Sequence, residues 1–114
     1  MSAAHPVDLA HLSRYTGGDA GINAEVLTLF AGQSVDLLKQ LDDALAQADS
    51  KVWRLVTHSL KGGARGIGAF ALADAAAAAE PVDPSDAAQA ARALHDVKSR
   101  ALAVTLFIET YLGG

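Results

Sequence analysis

Apolar residues recur at steps of three and four along most of the chain, the period of helices with one buried face, and no strand-like pattern competes. Prolines occur only at Pro6, Pro81 and Pro84, so everything between Pro6 and Pro81 is free to be helical. A short first helix is predicted from about Val7 to Tyr15, ended by Thr16-Gly17-Gly18. Asp19 then caps a long second helix with the stripe Ile22, Val26, Leu29, Phe30, Leu37, Leu41, Leu45 and Ala48. Gly32 weakens that helix by about 1 kcal/mol relative to alanine, which packing is expected to offset. Asp49 or Ser50 caps a third helix whose buried stripe is Trp53, Val56 and Leu60. Glycines 62, 63, 66 and 68 thin out its end and place a turn near Gly66–Ala69. A fourth helix, about Phe70 to Glu80, is almost pure alanine with Leu72 and stops at Pro81. Asp83-Pro84-Ser85-Asp86 reads as an N-cap at Asp83, proline at the first helical position and acid in the first turn. The fifth helix carries Ala87, Ala90, Ala91, Leu94, Val97, Ala101, Val104, Ile108 and Tyr111, and should run nearly to the C-terminus.

Four longish helices with short connections predict an all-α fold, an antiparallel four-helix bundle with a short additional N-terminal helix. The 114 residues suit a single domain spanning 1–114. Apolar residues make up 51% but aromatics only 5%, and alanine at this density favours helices whose backbones approach closely. The run Ala75–Ala79 fits that packing. Without cysteine, disulfides, thiolate zinc sites and cysteine nucleophiles are excluded. A net charge of -4 argues against nucleic-acid binding, which needs a basic face. No apolar run approaches the roughly 20 residues that span a bilayer. Met1–Ala10 lacks the charged start and apolar stretch of a signal peptide, so a cytoplasmic protein without membrane contact is expected.

One histidine of the four stands out. His58 lies about 200° around the third helix from both Val56 and Leu60, and so points away from the core. Its neighbours at i−4, i+3, i+4 and i+7 are Arg54, Lys61, Gly62 and Arg65. The three cations disfavour a charged ring by like-charge repulsion and suit a dianionic phosphoryl group added to it. Gly62 opens the surface one turn away. Residues 58 and 80 are also equidistant from Ala69, so a helical hairpin turning there sets them at similar heights. Glu80 is then placed to accept a hydrogen bond from one ring N–H, fixing the tautomer and leaving the other nitrogen's lone pair free. A solvated surface histidine with basic neighbours is the alternative that helix geometry alone leaves open.

The segment His58-Ser59-Leu60-Lys61-Gly62-Gly63-Ala64-Arg65-Gly66-Ile67-Gly68-Ala69 resembles the signature H-x-L-K-G-x(5)-G of histidine-containing phosphotransfer (HPt) domains. Leu72 and Glu80 follow where that family often has leucine and a glutamate or glutamine. Asp8-Leu9-Ala10-His11-Leu12 and Asp19 through Phe30 look like its opening helices. The resemblance spans nearly the whole chain. It implies phosphorylation of His58 on Nε2, charge balance by Lys61, access over Gly62, orientation of the ring by Glu80 through Nδ1, and a tight turn at Gly68. Arg54 and Arg65 would join Gly62 and Gly68 in meeting the phosphoryl group or the partner. Gly63 and Gly66 depart from the small polar residues often seen there, and Arg65 adds a cation.

The resemblance further implies a monomeric phosphoryl carrier in two-component signalling. Its partners would be the receiver domain of a hybrid histidine kinase, a response regulator, or both. Transfer asks little of the carrier beyond a positioned nucleophile. No cofactor is expected, since no carboxylate cluster accompanies His58 and the divalent metal should belong to the receiver. No nucleotide-binding motif is present, so ATP-dependent kinase activity is not expected. Leu12, Tyr15, Ile22 and Val26 are candidates for an apolar receiver-binding patch or for core, and Trp53 reads as a core or bundle-edge anchor. His5, His11 and His95 have no i+4 partner of metal-ligand type. A helical adaptor that binds receivers without transfer would predict a disrupted nucleophile or lysine, and both are intact. A bundle with an interior metal or ligand site would require inward-facing polar clusters, which the stripes lack.

Overall fold

Among the described residues, aspartates open four of five helices. The computed structural model describes residues 5–113, so residues 1–4 and 114 of the expected domain lie outside the described residues. Helix α1 spans Leu9–Thr16, with the Asp8 carboxylate accepting from the His11 N–H. Helix α2 spans Ala20–Gln47 behind Asp19, and α3 spans Ser50–Gly66 behind Asp49. Helix α4 spans Phe70–Ala79, and α5 spans Ala87–Gly113. Each capping carboxylate satisfies an N–H of the first turn that has no carbonyl partner within its helix.

The last cap corrects an expectation. The Gln89 N–H finds Asp86 Oδ1 at 3.3 Å, so Asp86, and not Asp83, caps α5. Asp83 instead closes its own turn, accepting from the Ser85 N–H at 2.9 Å and the Ser85 hydroxyl at 2.8 Å. These bonds hold its carboxyl below the ordinary range. Pro84 is fully buried beneath this turn. Burial draws the proline into the bundle ahead of the helix, which delays the helix start to Ala87. The first helix likewise begins later than expected. Val7 is buried in the segment before it, and α1 starts at Leu9.

Helices α2, α3, α4 and α5 pack in a ring, each against its two neighbours, with α1 lying on α2. Short connections make sequential neighbours antiparallel. The core joins large side chains of α2, α3 and α5 (Leu27, Phe30, Leu41, Trp53, Leu60, Val97, Ile108) to the alanine face of α4. On α4 the buried residues are Leu72, Ala73, Ala75, Ala76 and Ala79. Side chains this small let α4 approach α3 closely.

The buried face of α2 is not the one its apolar periodicity indicates. Asn23, Leu27, Phe30, Ser34, Leu41 and Ala44 are buried, while Ile22 and Leu29 are exposed and Val26, Leu37 and Leu45 half-buried. Ala48 is exposed and ends the helix in a left-handed conformation, φ 51°. Two polar residues can occupy the inner face because each has a partner. The Thr16 hydroxyl donates to the Asn23 side-chain oxygen, and the Ser34 hydroxyl donates to the Ala31 carbonyl. Leu12, a candidate for the receiver patch, is core, whereas Tyr15 and Ile22 are exposed. On α5 the expected stripe is buried from Ala90 through Ile108, but Ala87 and Ala91 are exposed. Among the described residues no helix is long and apolar enough to cross a membrane.

Candidate functional site

Helix α3 has two faces of different chemistry. Its inner face buries Trp53, Val56, Thr57, Leu60 and Ala64. Its outer face carries Lys51, Arg54, His58, Lys61 and Arg65, and the helix contains no Asp or Glu. Thr57, next to His58, is buried without cost because its hydroxyl bonds the Trp53 and Arg54 carbonyls at 2.9 and 3.1 Å. That pins residue 57 inward and leaves residue 58 facing solvent.

The His58 side chain is 65% exposed, and Glu80 Oε2 lies 3.3 Å from its Nδ1. The hairpin brings the two together across α3 and α4, as the count about Ala69 predicts. The shorter contact at Glu80 belongs to Lys61, whose Nζ donates to Oε1 at 2.8 Å. Lys61 is thus not a free member of a cationic ring. Its stem lies along the bundle and its ammonium is paired, both side chains being only about a quarter exposed, 22% and 25%. The hydrogen bond from Lys61 is the largest influence and, together with the charges of Lys61 and His58 and the contact with His58, holds the Glu80 carboxyl below its ordinary range, against an upward push from burial that is second only to the Lys61 bond. Among the described residues no other histidine has a carboxylate within ion-pair distance, and no group of His, Asp and Glu has a metal-holding arrangement.

A depression of about 370 Å³ lies beside the ring, lined by Ser50, Lys51, Arg54, Leu55, His58 and Glu80. Arg54 therefore borders the depression. Lys51 and the exposed Leu55 join it without having been singled out from the sequence. Leu55 lies one turn and Lys51 two turns before His58, which was the available signal. Arg65 is exposed near the end of α3 and lies outside this depression. Gly62 is exposed, and a Cβ built on it would meet nothing within 4 Å. No packing inside the protein demands glycine there.

Gly68 belongs elsewhere. It is buried, has φ +80°, and a Cβ on it would come within 2.7 Å of the Asp8 carbonyl oxygen. Its own carbonyl accepts the Asp8 N–H at 2.9 Å. It lines a different, largely apolar cavity of about 690 Å³ under the N-terminal segment. Grouping it with the phosphoryl- or partner-contacting residues is therefore corrected: it forms the turn and seats the chain before α1.

Fold and site together describe a helical bundle that displays one imidazole, braced by a carboxylate, on a basic helix face. The family model for the Hpt domain matches residues 25–103. The chain belongs to the Hpt domain family, the histidine phosphotransfer domains of phosphorelays. A search of the curated proteins found no match. Among solved structures, histidine-containing phosphotransfer protein B (HptB) from Pseudomonas aeruginosa PAO1 is similar to this chain with a TM-score of 0.84. The two share 24% identity over 96% of this chain and 95% of that one. The likeness shows that they share a fold. The matched range includes His58, Lys61, Gly62 and Glu80, and leaves α1 outside it.

Proposed function

We propose that His58 is the phosphoryl carrier of this phosphorelay protein, taking the group on Nε2 from a receiver-domain aspartyl phosphate and returning it to the aspartate of another receiver. The observation that carries this reading is the pairing of an exposed ring with a carboxylate at Nδ1. A proton held on Nδ1 toward Glu80 leaves the lone pair on Nε2, the nitrogen away from that contact. In the forward step the Nε2 lone pair forms the N–P bond as the bond from phosphorus to the aspartyl oxygen breaks, and the aspartate leaves as a carboxylate. Positive charge developing on the ring is stabilised by Glu80. The reverse step restores the neutral ring.

Lys61 serves in two ways on this reading. It holds Glu80 in place before transfer, and it lies one turn from the ring, where it balances phosphoryl charge. Arg54 and Arg65 extend the basic face toward an acidic partner surface, and Gly62 leaves room for it. The partners are receiver domains of a hybrid histidine kinase, a response regulator, or both, and the receiver supplies the divalent metal. The chain acts as a monomeric, cytoplasmic single domain without ATP-dependent kinase activity of its own.

The test mixes the protein with a receiver charged with radiolabelled phosphate. Acid-labile, alkali-stable label should appear on the wild type and be absent from His58→Gln. Label that persists on the variant, or no transfer from any cognate receiver, contradicts the proposal.

A further inference from the structure

We infer that Trp53 is a positioning residue for the Glu80 carboxylate, and through it for the ring of His58; this rests on the reading of His58 and Glu80 given above. Trp53 is buried on the inner face of α3, and its indole N–H donates to the Ala79 carbonyl at 2.9 Å. Ala79 is the last residue of α4, immediately before Glu80. A carbonyl at a helix end lacks its intrahelical partner and must find another. Here it accepts from the indole of α3 and from the Val82 N–H at 3.0 Å, while the Glu80 N–H donates to the Ala76 carbonyl at 3.0 Å. The backbone on both sides of Glu80 is thereby tied down, and one of the ties comes from the helix that carries His58 and Lys61.

That tie matters because it fixes the backbone at the end of α4, whereas the Lys61–Glu80 bond holds only the Glu80 side chain. The buried face of α4 is alanine apart from Leu72, and small side chains interlock weakly along a helix axis. The Nδ1–Oε2 separation of 3.3 Å is already at the long end for a hydrogen bond, where a few tenths of an ångström decide whether the bond exists. The indole bond sets where α4 ends relative to α3, and so sets that distance. A buried tryptophan needs some acceptor for its N–H; this one uses the carbonyl that neighbours the site.

Trp53 is the only tryptophan in the chain, so biosynthetic replacement of tryptophan by benzothienylalanine alters this side chain alone. The analogue keeps the bicyclic shape and puts sulfur in place of the N–H; Trp53→Phe serves as a second variant. Two quantities are read: the rate of transfer from a receiver charged with acetyl phosphate, and the ¹⁵N shifts of the His58 ring. Both proteins should transfer about fivefold more slowly, the fold-change of one neutral hydrogen bond, with ring shifts moving from the Nδ1-protonated tautomer toward a mixture. In a Glu80→Ala background the analogue should slow transfer no further. An analogue-substituted protein with wild-type rate and shifts, beside a slowed Glu80→Ala, overturns the role of Trp53 alone. A full additional loss on top of Glu80→Ala overturns it too. A wild-type rate in Glu80→Ala by itself overturns the orienting role of Glu80, and this inference with it.

Discussion

The α3–α4 hairpin is held at two places by different means. At its turn the constraint is backbone: Gly68 takes φ +80°, and the Asp8 carbonyl occupies the space where a side chain would begin. At the site the constraint is side chain to side chain and side chain to backbone, through Lys61–Glu80, His58–Glu80 and Trp53–Ala79. The turn is buried and the site is open to solvent. A buried backbone constraint governs whether the hairpin forms, whereas exposed polar contacts contribute little to stability and much to where reacting atoms sit. The two regions should therefore separate stability from chemistry when altered one at a time.

Gly68→Ala should give the largest effect on folding. Left-handed strain and the clash with Asp8 together cost about 2 to 4 kcal/mol, which for a domain of this size lowers Tm by on the order of 10 °C or more. Thermal and urea denaturation measure it, and the transfer rate of the folded fraction should stay at the wild-type value. Gly62 should behave in the opposite way. Because its Cβ position is open, Gly62→Ala should stabilise α3 by up to about 1 kcal/mol, while Gly62→Gln should keep the fold and slow transfer by obstructing the partner. Equal losses of stability at the two glycines would break the comparison.

The smallest effect concerns pH. The Glu80 carboxyl is lowered in the folded protein, chiefly by its bond to Lys61. A carboxyl with a lower folded than unfolded value binds more protons when unfolded, so its stabilising contribution is complete above the ordinary carboxylate range. It is lost as pH falls through the lowered value. Urea denaturation over that acid window should show a slightly shallower loss of stability for Glu80→Gln than for the wild type. Identical acid limbs would remove the ion pair from the account.

Much of this was legible in the chain. Capping aspartates and glycine turns mark the helices, the α5 stripe from Ala90 to Ile108, apart from Ala91, identifies its buried face, and the count about Ala69 brings His58 to Glu80. What escaped depends on tertiary partners. Apolar periodicity favours Ile22 and Leu29 over Asn23 and Ser34, because it carries no record of the Thr16 hydroxyl or the Ala31 carbonyl that satisfy the buried polar groups. Asp83 and Asp86 are equally good caps by residue type, and the burial of Pro84 decides between them. Lys61 reads as a free cation on helix geometry alone, since its partner lies on the next helix. The Gly68 motif position is plain in sequence, but its reason, the approach of Asp8, is a contact between distant parts of the chain.

The most direct measurement is an NMR spectrum of the ¹⁵N-labelled protein after phosphorylation by a charged receiver. The account predicts one phosphohistidine, with phosphorus–nitrogen coupling at Nε2 of His58 and the Nδ1 proton retained toward Glu80. Phosphate on His5, His11 or His95, or coupling at Nδ1 of His58, would contradict it.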